Sequence, residues 1–400
     1  MKIKSLYSDF QVTENPNTLD TAPGQFSFYC LSKTGQTTLD AFRQLQAAWG
    51  YHNDQLSFGG LKDRHAVTIQ YFTIWNGPKK DYTLGPLEIK YLGTRTVPYR
   101  SSDIQSNHFE VIIRDLPRAA KADIEQSVRE VQQVGCPNYF DDQRFGSVGP
   151  DKRFIAKEII SGNSEAALKL ALIGEYEHDR AGAKREKQIL KEHWGDWQKI
   201  QGLLSKSRDI RVFRYLTQRR SDFLGAMELL RPELQGLYFS AYQSYIWNRT
   251  LSYWLEANLP EEARSSISTR LKDLAAPRRL PENYQAEWKT FELPYPSARL
   301  KPLATESWVE PLKKVMAEEG FPLEQMKTGV RKLFFSKGVR KASMEPQGLK
   351  ISFAKDENHP ERIRLQIGFD LPPGSYATMI LKRILNKHAS STHLPEISSE

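Results

Sequence analysis

Apolar and polar positions alternate most cleanly near the C-terminus. In "GLKISFAKDENHPERIRLQIGFDLPPG", Ile363, Leu365, Ile367 and Phe369 alternate with Arg362, Arg364, Gln366 and Gly368. Period-two side chains share one face of a strand, so this stretch predicts a hairpin whose second arm is half buried. "HFEVIIRDL" repeats the pattern, with Phe109, Val111 and Ile113 set against Glu110, Ile112 and Arg114. "VTIQYFTIW" predicts a strand over 67–75, and "GQFSFYCLSK" another with Phe26, Phe28 and Cys30 on one face. Between them, "TTLDAFRQLQAAWG" carries a helical stripe of Leu39, Phe42, Leu45 and Trp49, with Thr37 or Thr38 as cap and Gly50 as stop. A second helix is expected from about Lys121 to Val134. From about Ser161 to about Asn258 helical patterns dominate, and "SYATMILKRIL" closes as a helix for which Ser375 is a plausible cap.

Strands thus crowd both ends and helices the middle. The expected fold class is α+β: one domain assembled from both termini, interrupted by a mostly helical insertion. No internal repeat or low-complexity tract is present, and the C-terminal "SSTHLPEISSE" predicts a flexible tail.

Composition sharpens this picture in two ways. The net charge is +9, and residues 179–220 carry twelve Lys/Arg against five Asp/Glu. A basic balance of this kind favours a polyanionic partner, nucleic acid first and an anionic membrane surface second. Cys30 and Cys136 form no CxxC pair, HExxH and GxSxG are absent, and no apolar run approaches the roughly 18 residues of a membrane span. A metal enzyme and a serine hydrolase are therefore disfavoured. The chain reads as a cytoplasmic protein with reduced thiols.

Four stretches could carry chemistry. In "FGGLKDRHAVTIQ", Asp63 lies between Lys62 and Arg64 beside the glycine pair Gly59 and Gly60. A cation within about 4–6 Å would keep this carboxylate ionised, and the glycines would let a ligand approach closely. A solvated charged turn is the competing reading. "NYFDDQRFG" offers the Asn138 amide for a base edge, Tyr139, Phe140 and Phe145 for stacking, and Arg144 for a phosphate, or else a buried aromatic turn. "SAYQSYIWNRTLSYW" spaces its aromatics as the core face of a helix would. The basic middle, ending in Arg219 and Arg220, suits an RNA backbone or a solvated helix face.

Taken in order, "SDFQVTE", "SFGGLKDRHAVTIQ", "PNYFDDQRFG", "SAYQSYIWN" and "LPPGSYAT" resemble the TruD family of tRNA pseudouridine synthases. These motifs run from Asp9 to Thr378, whereas the middle of the chain matches far less clearly. The resemblance implies a catalytic domain of mixed β-sheet built from residues 1–155 and 330–390 and an inserted domain over about 160–310, which leaves 391–400 as the expected flexible tail. A cleft is implied between the two lobes, with the basic residues of the insertion holding RNA.

The resemblance also implies the chemistry: a uridine of tRNA, the one at position 13, is isomerised to pseudouridine by an aspartate nucleophile, here Asp63. Attack at C1′ of the ribose or at C6 of the base both fit. Phe10 and Tyr376 match positions that contact the substrate base, with Tyr376 standing where the family often has Phe. Asn138 matches the asparagine placed to hydrogen-bond the flipped base, and Phe140 the ring placed to stack on it. Lys4 matches a lysine six residues before the phenylalanine and is a candidate cationic partner for Asp63. Arg64, Arg144, Arg219 and Arg220 are candidate RNA-backbone contacts. No cofactor, metal or membrane is implied, and a monomer is expected. The alternative is a tRNA-binding or folding chaperone of the same fold without essential catalysis.

Overall fold

The strand rich in β-branched and aromatic residues, Val67–Trp75, runs through a ten-stranded mixed sheet. The computed structural model of the chain describes residues 1–174, 181–328 and 333–386, and every structural statement here concerns these; the expected tail over 391–400 lies outside them. In chain order the strands of this sheet are β1 (Lys2–Ile3), β2 (Phe10–Pro16), β3 (Phe26–Thr34), β4 (Leu56–Phe58), β5 (Val67–Trp75), β6 (Tyr82–Leu84), β7 (Leu87–Arg95), β8 (Ile104–Leu116), β9 (Gln347–Lys355) and β10 (Ile363–Leu371). Their spatial order is β9-β10-β8-β2-β5-β3-β7-β6, with β1 on β8 and β4 on β5. The C-terminal hairpin therefore docks on β8, with Phe369 opposite Phe109. β2 and β5 pair in parallel, Gln11 opposite Val67, and the other pairs are antiparallel.

Local chemistry explains the first helix, Thr38–Trp49. The Thr37 side chain accepts from the Asp40 N–H, and Gly50 ends the helix with φ 71°. Its buried stripe is Thr38, Ala41, Phe42 and Leu45; Leu39, expected inside, is exposed. This helix covers the Tyr29, Leu31, Phe72, Ile74, Leu87 and Ile89 side of the sheet. In β3 the deeper face is thus Ser27, Tyr29, Leu31 and Lys33, while Phe26 and Cys30 on the alternate face are only half buried. The helices Ala120–Val134 and Ala377–Leu385 pack together, and the buried Arg383 guanidinium meets Glu130 at 2.6 Å. The last helix is capped by Tyr376 rather than Ser375.

The chain divides into two units, 1–138 with 343–400, and 139–342. The second unit runs from Tyr139 to Ala342, where the resemblance implied an inserted domain over about 160–310. It is mostly helical and also holds two short antiparallel pairs, Arg264–Ile267 with Leu274–Pro277 and Glu292–Pro294 with Val339–Lys341. Its spine is the 27-residue helix Pro232–Asn258. Tyr242, Ile246, Trp247, Leu251 and Trp254 are buried there, which makes the aromatic spacing a core face. Trp254 stacks on Trp288 at 6.1 Å and 14°.

Candidate active site

Parallel pairing brings two distant segments together. Because β2 and β5 run the same way, the chain entering each arrives at the same end of the sheet. Lys4 lies before β2 and Asp63 before β5. Lys4 Nζ donates to Asp63 Oδ2 at 3.0 Å, and the same ammonium lies 3.9 Å from the centre of the Phe10 ring. The Lys4 side chain is 4% exposed and that of Asp63 27%, so the carboxylate keeps an open side that its cation lacks. Lys4 has φ 58°, a left-handed conformation that costs a non-glycine residue about 1–3 kcal/mol. The surrounding contacts hold that strain in place. Ile3 pairs with Ile113 on β8, and the Leu6 N–H donates to Asp9 Oδ2 at 3.0 Å. Asp9 is fully buried and is gripped by Arg114, whose Nε lies 2.9 Å from Oδ2 and Nη2 2.8 Å from Oδ1.

The Asp63 segment is fastened from within. Lys33 is wholly buried, and its ammonium donates to three backbone carbonyls: Gln36 at 2.8 Å, Lys62 at 3.3 Å and Asp63 at 2.8 Å. Burial brings the Lys33 pKa down from 10.5 to about 8, with the Asp63 charge opposing the drop and the Lys62 charge adding to it. Lys62 turns away from its neighbour. Its Nζ lies 2.8 Å from Glu14 Oε2 and 2.6 Å from Asn107 Oδ1, on the sheet. Glu14 is buried and accepts from the Tyr99 hydroxyl at 2.8 Å and the Tyr71 N–H at 3.2 Å. The Lys62 N–H donates to Thr38 Oγ1 at 2.9 Å, and Gln70 Nε2 to the Gly60 carbonyl at 3.1 Å.

The two glycines have different reasons. A Cβ on Gly59 would fall 2.4 Å from Ile104 Cδ1, so glycine there lets the backbone lie on the protein's own sheet. A Cβ on Gly60 would meet open space. Arg64 is half buried, and its charge helps hold the Asp40 carboxyl below the usual range, behind the larger effect of the Thr37 hydroxyl.

Asn138 and Tyr376 belong to the same unit. Asn138 is buried and directly follows Cys136–Pro137, which pairs with Ser343–Met344. Tyr376 is half buried at the start of the last helix. Cys136 Sγ lies 3.8 Å from the Met379 carbonyl, so the strand leading to Asn138 adjoins the helix that Tyr376 begins. Cys30 and Cys136 are free thiols that burial pushes up to about 11 and about 12.

The remaining candidates lie in the second unit. Phe140 is 5% exposed. Its backbone N–H and carbonyl both bond the Asn248 side-chain amide, at 2.9 and 2.8 Å. Its ring meets Trp247 edge-on at 5.5 Å, with the guanidiniums of Arg340 at 4.2 Å and Arg144 at 5.3 Å. A base could stack on this ring only if some of that cover moved. Arg144 Nε donates to Ser244 Oγ at 3.2 Å. Arg219 and Arg220 are exposed after the helix Ile210–Gln218, and Arg219 reaches the Tyr215 hydroxyl at 3.1 Å.

Sequence reasoning passed over Lys33 and Glu14. The signal for Lys33 was available, since it shares its period-two face with Tyr29 and Leu31, an unusual place for a lysine. Among the described residues, no group of three His, Cys, Asp or Glu could hold a metal, and no helix is long and apolar enough to cross a membrane.

Comparison with known proteins gives this geometry a context. The family model for tRNA pseudouridine synthase D (TruD) matches residues 1–384. A tRNA pseudouridine synthase D from Aquifex aeolicus is 32% identical over 394 residues, covering 96% of this chain and 98% of the relative. A Methanococcus maripaludis relative named "Probable tRNA pseudouridine synthase D 1" is 30% identical over 396 residues, covering 96% of this chain and 100% of its own. In fold, the chain is similar to a TruD crystal structure from Methanosarcina mazei, with a TM-score of 0.73 at 23% identity and coverage of 96% and 93% of the two chains. The chain belongs to the tRNA pseudouridine synthase D (TruD) family.

Proposed function

We propose that this protein isomerises a uridine of tRNA to pseudouridine, at position 13, with Asp63 as the nucleophile. The observation that carries this reading is the Lys4–Asp63 ion pair set against the Phe10 ring, with the carboxylate oxygen 3.0 Å from its cation and partly open. The ammonium balances the charge of the carboxylate, and the three carbonyl bonds from Lys33 fix the backbone that carries it. A nucleophile held in this way needs little reorganisation when it attacks.

The reaction balances within one nucleotide. The N1–C1′ bond breaks, the uracil turns while held, and C5 bonds to C1′. The C5 proton is then lost and N1 gains one. Attack by Asp63 on C1′ gives an ester that C5 displaces as it bonds to C1′; attack on C6 gives an adduct that expels the carboxylate once C5 is joined and its proton lost. Either way Asp63 is released unchanged, and no redox cofactor or metal enters the balance. The base must leave the helix stack to be reached, at a cost of a few kcal/mol. Phe10 and Tyr376 would contact the extruded base and Asn138 would hydrogen-bond it. Phe140 would stack on the base once uncovered. Arg64, Arg144, Arg219 and Arg220 would meet the RNA backbone.

The test is a pseudouridine map of unmodified tRNA transcripts incubated with the purified protein, by carbodiimide labelling and primer extension, with Asp63→Asn alongside. The expected result is a new stop at uridine 13 that the variant does not give, while the variant binds tRNA nearly as well. Product from Asp63→Asn at the wild-type rate would remove Asp63 as nucleophile. Tight tRNA binding with no modified position would favour a tRNA-folding chaperone instead.

A further inference from the structure

We infer that Tyr7 and His65 form a stacking platform for the nucleotide next to the target uridine, an inference that rests on the function proposed above. The two rings lie 6.1 Å apart and within 15° of parallel. Tyr7 is 47% exposed, and His65 is exposed as well. Leu6, next to Tyr7, and Leu61, four residues before His65, are 50% and 60% exposed. A single exposed apolar side chain is ordinary. These four instead fall on the two short segments that supply Lys4 and Asp63, whose carboxylate is itself partly open.

The platform is built rather than floppy. A Cβ on Gly35 would fall 3.0 Å from the Tyr7 ring, so the ring lies directly on bare glycine backbone, where φ is 69°. The Gly35 N–H donates to the Ala66 carbonyl at 3.4 Å, which joins this turn to the residue after His65. Tyr7 thereby meets Gly35 at its hydroxyl end and His65 across near-parallel rings, with part of its ring in solvent. Rigid aromatics present area at low entropic cost, and a base can stack on them whatever its identity.

Position selects the occupant. His65 follows Asp63 by two residues, a reach of at most about 7 Å of chain. A nucleotide whose ring is being attacked by Asp63 therefore has its strand neighbour within range of these rings. The Arg64 cation between them suits a connecting phosphate.

The test compares wild type with Tyr7→Ala, Tyr7→Phe and His65→Ala on an unmodified tRNA transcript, and on transcripts carrying 2-aminopurine on either side of the target uridine. Tyr7→Ala should raise KM about tenfold with a far smaller change in kcat, and Tyr7→Phe should restore most of the affinity. His65→Ala should give a smaller rise. Wild type should quench 2-aminopurine on one side, and Tyr7→Ala should release that quenching. An unaltered KM and unaltered quenching in Tyr7→Ala, with the wild type active, would overturn the platform. Quenching that depends on Tyr7 in a wild type that forms no pseudouridine would support the platform and remove the catalytic reading beneath it.

Discussion

Replacing Lys33 with methionine should separate stability from activity. Methionine has nearly the same reach and no charge. Burial depresses the Lys33 pKa from 10.5 to about 8, which corresponds to about 3 kcal/mol spent on keeping a cation there. The substitution recovers that cost. It also strips the donor from the carbonyls of Gln36, Lys62 and Asp63. Each loss is worth about 1–3 kcal/mol where water cannot replace the donor, and less at Lys62 and Asp63, which are only half buried. The two effects nearly cancel, so Lys33→Met should unfold in urea within about 2 kcal/mol of wild type. Activity has no such compensation. The backbone of the proposed nucleophile loses its anchor, and a shift of about 1 Å costs on the order of 100-fold in rate.

The pH dependence makes the test specific. Between about 8 and 10.5 the unfolded chain holds more protons at this lysine than the folded one, so the stability of the wild type should rise with pH across that window. Over the same window the ammonium becomes an amine with two N–H groups for three carbonyls, so the single-turnover rate should fall relative to Lys33→Met. The groups that bear on this titration are Asp63, which favours the ammonium, and Lys62, which disfavours it. Substrate titration affects both proteins and cancels in the ratio. A wild-type to Lys33→Met rate ratio that stays flat from pH 7 to pH 10 would refute the reasoning, as would wild-type turnover by Lys33→Met at pH 7.

Two other perturbations follow from the geometry. Arg114→Met leaves Asp9 fully buried without the guanidinium that grips it, and should cost about 3–5 kcal/mol in urea unfolding; a loss below about 1 kcal/mol would show that the pair is not holding the entry to β2. Reversing the charge of Arg219 and Arg220, both exposed, should weaken tRNA binding and lower the slope of log affinity against log salt by about two or more; an unchanged slope would mean that these residues face away from RNA.

Much of the first unit was legible because its signals are local. The Thr37 cap and the Gly50 stop lie within the reach of a single helix, and the alternation over 363–369 is a property of one strand. The ordered motifs likewise identified the family without any contact map. Faces were less secure, because helical spacing alone put Leu39 in the stripe and only packing left it exposed. The same limit applies to Phe140: its sequence shows an aromatic in a polar loop, but not the Trp247 and Arg340 side chains that cover it.

By itself, then, the sequence determined the elements, the α+β class, the family and the candidate carboxylate. The resemblance offered Lys4 as a partner for Asp63, and tertiary structure decided between it and the neighbouring cations. Two adjacent cations compete for it on paper, yet Lys62 is drawn to Glu14 and Lys4 arrives from 59 residues away. It also decided that Gly59 makes room for Ile104, that Lys33 binds three carbonyls, and that Tyr7 lies against His65. The physical reason is common to all of these. They rest on how separate strands pair: Lys4 meets Asp63 through the parallel register of β2 with β5, and Lys33 reaches the same segment through the antiparallel register of β3 with β5. Such pairings leave no periodicity in the chain.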